Sequence, residues 1–185
     1  MMKILTTFGA TLALTATMSA GYAGEGRKDL QVFNDISKAV TRYAQFTIFD
    51  SVDASVKDGV VTLTGRVTMP YKKDAIEKRV SGIDGVKLVH DEIAVLPVSQ
   101  FDDQLRHRIA RAIYNNPNFW NYAIMADPPV HIVVEHSRVT LTGVVQSEVE
   151  RMVARSIAGS QFGVMSVVNN LKTDAEVKDA LEKAF

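Results

Sequence analysis

Not one of the 185 positions in the chain is a cysteine. Disulfides, thiolate metal sites and an N-terminal cysteine lipid anchor are therefore excluded, and packing alone must hold the fold. There is a single tryptophan, and no charge surplus, because 21 basic side chains balance 21 acidic ones. A general nucleic-acid binder depends on a basic field, and that field is missing. Beyond residue 23 no apolar run approaches the roughly 20 residues that a membrane span needs, so no integral span is expected in the mature chain.

The one long apolar stretch stands at the start. Lys3 is followed by a run from Ile4 to Met18 rich in Ala, Leu and Thr, then by SAGYAGEG, with Gly21 and Ala23 placed as small residues before a cut. This pattern predicts a secretory signal over residues 1–23, too short to be a spanning anchor. What remains is one charge to the acidic side of neutral, since Lys3 leaves with the signal. It is long enough for one or two small domains.

The remainder is written twice. VTLTGRV at 61–67 returns as VTLTGVV at 139–145, an offset of 78. The offset holds outward: Val52, Ala54 and Val56 map onto Val130, Ile132 and Val134, and Gly85, Val86, Val89 and Ile93 map onto Gly163, Val164, Val167 and Leu171. Self-similarity over such a span indicates a duplicated unit. Upstream, Val32, Ile36 and Val40 match Leu105, Ile109 and Ile113 at an offset of 73, each trio forming the apolar stripe of a helix. The second copy thus has five extra residues, within NNPNFWNYAIMADPP, 115–129.

Each unit reads helix, strand, strand, helix, strand. Asp58-Gly59 suits a tight turn between the first two strands, whereas His136-Ser137, a poorer fit, predicts a different or looser one. Gly65 and Gly143 suggest a bulge or a close backbone approach. Ser147 and Glu150 form a capping box, with Val149, Met152, Val153 and Ile157 as the buried stripe behind it. Pro70 opens the equivalent helix, whose stripe is Tyr71, Ala75, Ile76 and Val80. The expected class is α+β, with helices packed on a small three-stranded mixed sheet. The units are placed at 29–97 and 102–173, and an amphipathic helix at 174–185.

From about Asp29 to Thr173 these residues resemble the BON domain family. A strand ending in VTLTG is followed by a helix and then by Gly163-Val164, Val167, Asn169 and Leu171. The first copy has Gly85-Val86, Val89, Asp91 and Ile93, with aspartate where the family usually shows asparagine. The resemblance implies a tandem, exported, non-catalytic module associated with phospholipid membranes and with envelope or osmotic stress.

Residue chemistry offers little to an enzyme. His131 and His136 are five apart and point to opposite strand faces, and His90 lies beside Asp91 and Glu92 without a converging partner. No metal and no cofactor is expected. No phosphate-cradling loop or nucleophile elbow is present, and Asp102-Asp103 and Asp91-Glu92 look like solvated carboxylates.

A lipid-facing surface wants cations beside aromatic side chains. The best candidate set is Arg106, Arg108 and Arg111, followed by Phe119, Trp120 and Tyr122. The same residues fit a plainer role, as the wet side of a helix and aromatic plugs for the sheet. Lys72, Lys73, Lys78 and Arg79 form a second basic group, interrupted by Asp74 and Glu77, that reads as an ordinary charged face. The expected partner is an anionic phospholipid surface. The competing one is another envelope protein, engaged through strand edges or the acidic terminal helix.

Overall fold

The computed structural model describes residues 25–184, so the predicted signal lies outside the described residues. The first repeat runs α1 (Glu25–Thr41), β1 (Ser51–Lys57), β2 (Val60–Val67), α2 (Pro70–Ser81) and β3 (Leu88–Val95). The second runs α3 (Gln100–Tyr114), a 3-10 turn (Pro117–Phe119), α4 (Trp120–Ala123), β4 (Val130–Glu135), β5 (Arg138–Val145), α5 (Glu148–Gly159) and β6 (Ser166–Thr173), and α6 (Asp174–Ala184) closes the chain. In each sheet the middle strand pairs antiparallel with the strand before it and parallel with the strand after it. The fold is the predicted α+β duplication with mixed sheets.

Alternation dictates the two cores. Val52, Ala54, Val61, Leu63 and Val67 turn to one face of the first sheet and meet Ile36, Val40, Ile76 and Val80 from the helices. Ile132, Val134, Val139 and Leu141 do the same against Leu105, Ile109 and Ile113. Two predicted stripes differ. On α5 the buried residues are Ala154 and Ala158, with Val153 and Ile157 half-buried and Val149 and Met152 exposed. The small alanines let the helix lie close to the sheet, which turns its first-turn apolar residues outward. On α2, Tyr71 is exposed and Lys72 goes inside in its stead.

The second hairpin turn is not looser than the first. His136 (φ 51°) and Ser137 (φ 63°) adopt the same left-handed pair as Asp58 (φ 53°) and Gly59 (φ 78°). The cause lies on the preceding helix. Asp102 is buried, not solvated, and its carboxylate accepts both turn N–H groups at 2.9 Å. Asp29 does the same for Asp58 and Gly59, at 2.8 and 3.1 Å. A carboxylate that takes both amides offsets the cost of left-handed backbone at non-glycine residues.

The loop between α1 and β1 reaches across to the second repeat. The Ile132 N–H, on the free edge of β4, donates to the Ile48 carbonyl at 2.7 Å, and Ile48 and Phe49 pack against the second core. Ser51 and Thr142 share a hydroxyl hydrogen bond of 3.0 Å, and Arg66 pairs with Glu135 at 3.3 Å. The Asp50 carboxylate, fully buried, accepts from the N–H and hydroxyl of Thr47, from those of Thr68, and from Lys72 Nζ at 2.6 Å. Its carbonyl oxygen lies 2.7 Å from His131 Nδ1. A carbonyl only accepts, so Nδ1 carries the proton.

Two expectations follow. Gly143 has φ 114°, and a Cβ there would collide with the Pro129 carbonyl. Gly143→Ala should therefore cost at least roughly 1–3 kcal/mol of backbone strain, read as a lower urea midpoint. Burial holds the pKa of His131 below its ordinary 6.5, against the opposing pull of Asp127 and of the Asp50 and Thr47 carbonyls. The unfolded state therefore takes up a proton that the folded state refuses. This contribution is intact above pH 6.5 and is lost as pH falls below it, by at most about 1.4 kcal/mol per pH unit. Urea midpoints at pH 7.5 and 5.5 should differ less in His131→Gln than in the parent.

Candidate functional site

Ser99 starts α3 by accepting from the Asp102 N–H at 3.2 Å. From there the helix sends successive arginines to different places. Arg106 is only 4% exposed; its guanidinium donates to the Val134 carbonyl at 3.1 Å and pairs with Asp103 at 2.8 Å. Arg108 and Arg111 face solvent, and Arg108 donates to the Phe162 carbonyl at 3.0 Å.

The extra residues of the second repeat form a compact knuckle. Asn116 caps the 3-10 turn by accepting from the Asn118 N–H at 3.0 Å. Just upstream of the knuckle, the Tyr114 hydroxyl donates to the carbonyl of Val130 downstream of it at 2.7 Å, tying the two ends together. Phe119 has no exposed surface, and Tyr122 is buried with its hydroxyl donating to Glu150 at 2.7 Å and accepting from the Gln146 N–H at 2.9 Å. Burial and the Glu150 carboxylate push the Tyr122 phenol well above its usual range, so it stays a neutral donor. Residues three apart in this tight turn share the inner side. Trp120 is thereby thrown outward, 70% exposed, with Ile124 at 77% and Met125 at 46% beside it in sequence.

Structure thus divides the predicted set. Arg106, Phe119 and Tyr122 are interior: the terminal guanidinium nitrogens of Arg106 reach Val134 and Asp103, the Tyr122 hydroxyl reaches Glu150, and the second core closes around the Phe119 ring. Arg108, Arg111 and Trp120 are on the outside. Sequence reading missed Ile124 and Met125, although Ile124 stands one helical turn from Trp120, the spacing of a shared face. The other basic group dissolves: Lys72 is buried on Asp50, and Lys73 donates to the Ile93 carbonyl at 2.8 Å.

The motif residues are structural. Asn169 donates to the Arg151 carbonyl at 2.8 Å and accepts from the Leu171 N–H at 3.3 Å. In the first repeat Asp91 accepts from the Ile93 N–H at 2.9 Å but has no amide to donate, and Lys73, in the place of Arg151, pairs with it at 3.7 Å. The carboxylate is therefore partnered, not solvated. Gly85 (φ 89°) and Gly163 (φ 94°) sit against Val32 and Phe101, where a Cβ would press on both.

Among the described residues no helix is long and apolar enough to cross a membrane, and no group of three or more His, Asp or Glu side chains could hold a metal. The molecule is thus a duplicated α+β module whose exposed functional candidates are apolar and cationic side chains. The chain belongs to the BON domain family, whose model matches residues 35–97 and again 101–184. Comparison with curated proteins finds no match. Two solved structures are similar at 13% identity: CdsD, a structural protein of the type III secretion system of Chlamydia trachomatis, and the C-terminal domain of CdsD. The alignments cover 84% and 76% of this chain and 99% and 96% of those, with TM-scores of 0.29 and 0.28.

The division of the arginines is testable by stability alone. Arg106→Ala strands a buried carbonyl and should cost roughly 1–3 kcal/mol. Arg111→Ala should stay within about 0.5 kcal/mol, as solvated substitutions do. Urea titration of the two variants checks this.

Proposed function

We propose that this protein is a non-catalytic, exported binding protein that attaches peripherally to anionic phospholipid in the cell envelope, with residues 1–23 as its export signal and a role in envelope or osmotic stress. BON domains bind membranes or proteins and as a kind are non-catalytic. The observation that carries the reading is the outward group Trp120, Ile124 and Met125, on a segment present in the second repeat alone, with Arg111 at the end of the helix that leads into it. Tryptophan favours the headgroup level of a bilayer, and guanidinium groups are drawn to its anionic surface.

Docking onto another envelope protein is the second reading. It is favoured by the outer edges of β3 and β6, which no strand covers among the described residues.

Flotation with vesicles separates them. The mature protein should float with phosphatidylglycerol-containing vesicles and not with phosphatidylcholine alone, with a blue shift of its single tryptophan. Arg111→Glu and Trp120→Ala should each weaken binding about tenfold or more, and raised salt should weaken it further, because the surface potential is screened within about 8–10 Å. Absence of flotation at low salt overturns the lipid reading and leaves the protein-docking one.

A further inference from the structure

A second apolar group in the second repeat has no part in the fold. Between α5 and β6 the chain makes a tight loop whose tip carries Phe162, 85% exposed, and Met165, 77% exposed. This loop is built, not slack. Its Gly163 lies on the ring of Phe101, its Phe162 carbonyl accepts from Arg108, and the Met165 N–H donates to the Ser137 carbonyl in the hairpin turn. Two side chains that burial would favour are therefore held outward by a fixed backbone. The first repeat shows that the turn itself asks for neither, since it closes the same loop with Asp84 and Lys87.

The charge around the tip matches the apolar content. Arg108 is exposed and joined to the loop, and exposed Arg138 follows the turn residue that Met165 bonds. The carboxylates nearby are engaged: Asp102 takes two turn amides, and Asp103 pairs with Arg106. Large apolar side chains flanked by exposed guanidinium groups are the chemistry of an anionic lipid interface.

Position supplies the last element. Phe101, under the loop, is the second residue of α3, and Trp120 follows six residues after its end. A helix of 15 residues spans roughly 22 Å. The loop and the Trp120 knuckle therefore stand at opposite ends of α3, with Arg108 and Arg111 between them. We propose that the Gln161–Met165 loop is a second point of entry into an anionic phospholipid surface, so that α3 lies along the membrane between two apolar anchors. This rests on the lipid reading above and adds orientation to it: one anchor tethers, whereas two with cations between them fix the face that the second repeat turns to the bilayer.

The lack of cysteine makes the test direct, since one introduced thiol labels one site. An environment-sensitive dye is attached to Phe162→Cys, or to Asp84→Cys at the equivalent loop of the first repeat. Each is mixed with phosphatidylglycerol-containing vesicles carrying a nitroxide lipid, and Trp120 emission is followed in the same samples. The expected result is a blue shift and quenching of the dye at 162, none at 84, and a concurrent shift of Trp120. A Trp120 shift with a silent dye at 162 overturns the second anchor and leaves the lipid reading standing. A responding dye at 162 with a silent Trp120 overturns the two-anchor arrangement and moves attachment to the loop. Silence at both overturns the proposal together with the lipid reading. Unlabelled Phe162→Ser/Met165→Ser supplies an independent arm: vesicle affinity should fall about tenfold or more with the urea midpoint unchanged, and unchanged affinity overturns the inference.

Discussion

Five donors converge on one carboxylate that has no contact with water. The N–H and hydroxyl of Thr47, the same pair from Thr68, and the ammonium of Lys72 all point at Asp50. A buried ion pair is costly unless its remaining valences are filled, and here the four neutral donors fill them. Thr47 lies in the loop after α1, Thr68 at the end of β2 and Lys72 in α2, so the cluster clamps that loop to the first sheet and its helix. Only a loop held in this way can present Ile48 to the edge of β4 and the Asp50 carbonyl to His131. The relation between the two repeats depends on this anion.

At the equivalent place the second repeat meets the same need with reversed chemistry. Thr68 and Lys72 correspond to Gln146 and Glu150, so the helix now supplies the carboxylate. Glu150 accepts from the Gln146 N–H and from the Tyr122 hydroxyl. In the first repeat the loop brings the anion and leans on its neighbour, whereas in the second it brings a neutral donor and folds over its own α5. That difference turns Phe119 and Tyr122 inward and Trp120 outward. The five extra residues therefore build a surface feature without disturbing the sheet behind it.

The exposed surface follows the same logic of duplicated framework and diverged periphery. The turn-capping aspartates, the glycines packed against the first helix of each unit and the strand alternation are common to both units, because each is required to close a small α+β layer. Phe162 and Met165 replace Asp84 and Lys87, and Met152 replaces Asp74. Apolar groups thus accumulate on the outside of one repeat, where the fold has no use for them.

The duplication, the order of elements, the mixed sheets and most of the core were legible in the sequence, because period-2 and period-4 patterns report which side of an element meets the core. The tight approaches at Gly65 and Gly143 were legible for a similarly local reason: a glycine at a strand end marks backbone that leaves no room for a side chain. What only the tertiary structure decided was the fate of the polar residues. Nothing local says that Asp102 will cap a turn 34 residues away, that Arg106 will reach the Val134 carbonyl or that Lys72 will be buried on Asp50. Those outcomes depend on distant donors and acceptors that come together only when the elements pack. Trp120 and Phe119 make the same point between neighbours: adjacent aromatics of similar hydrophobicity end on opposite sides, because one turn of backbone, tied at Tyr114 and Tyr122, decides which of them faces the core.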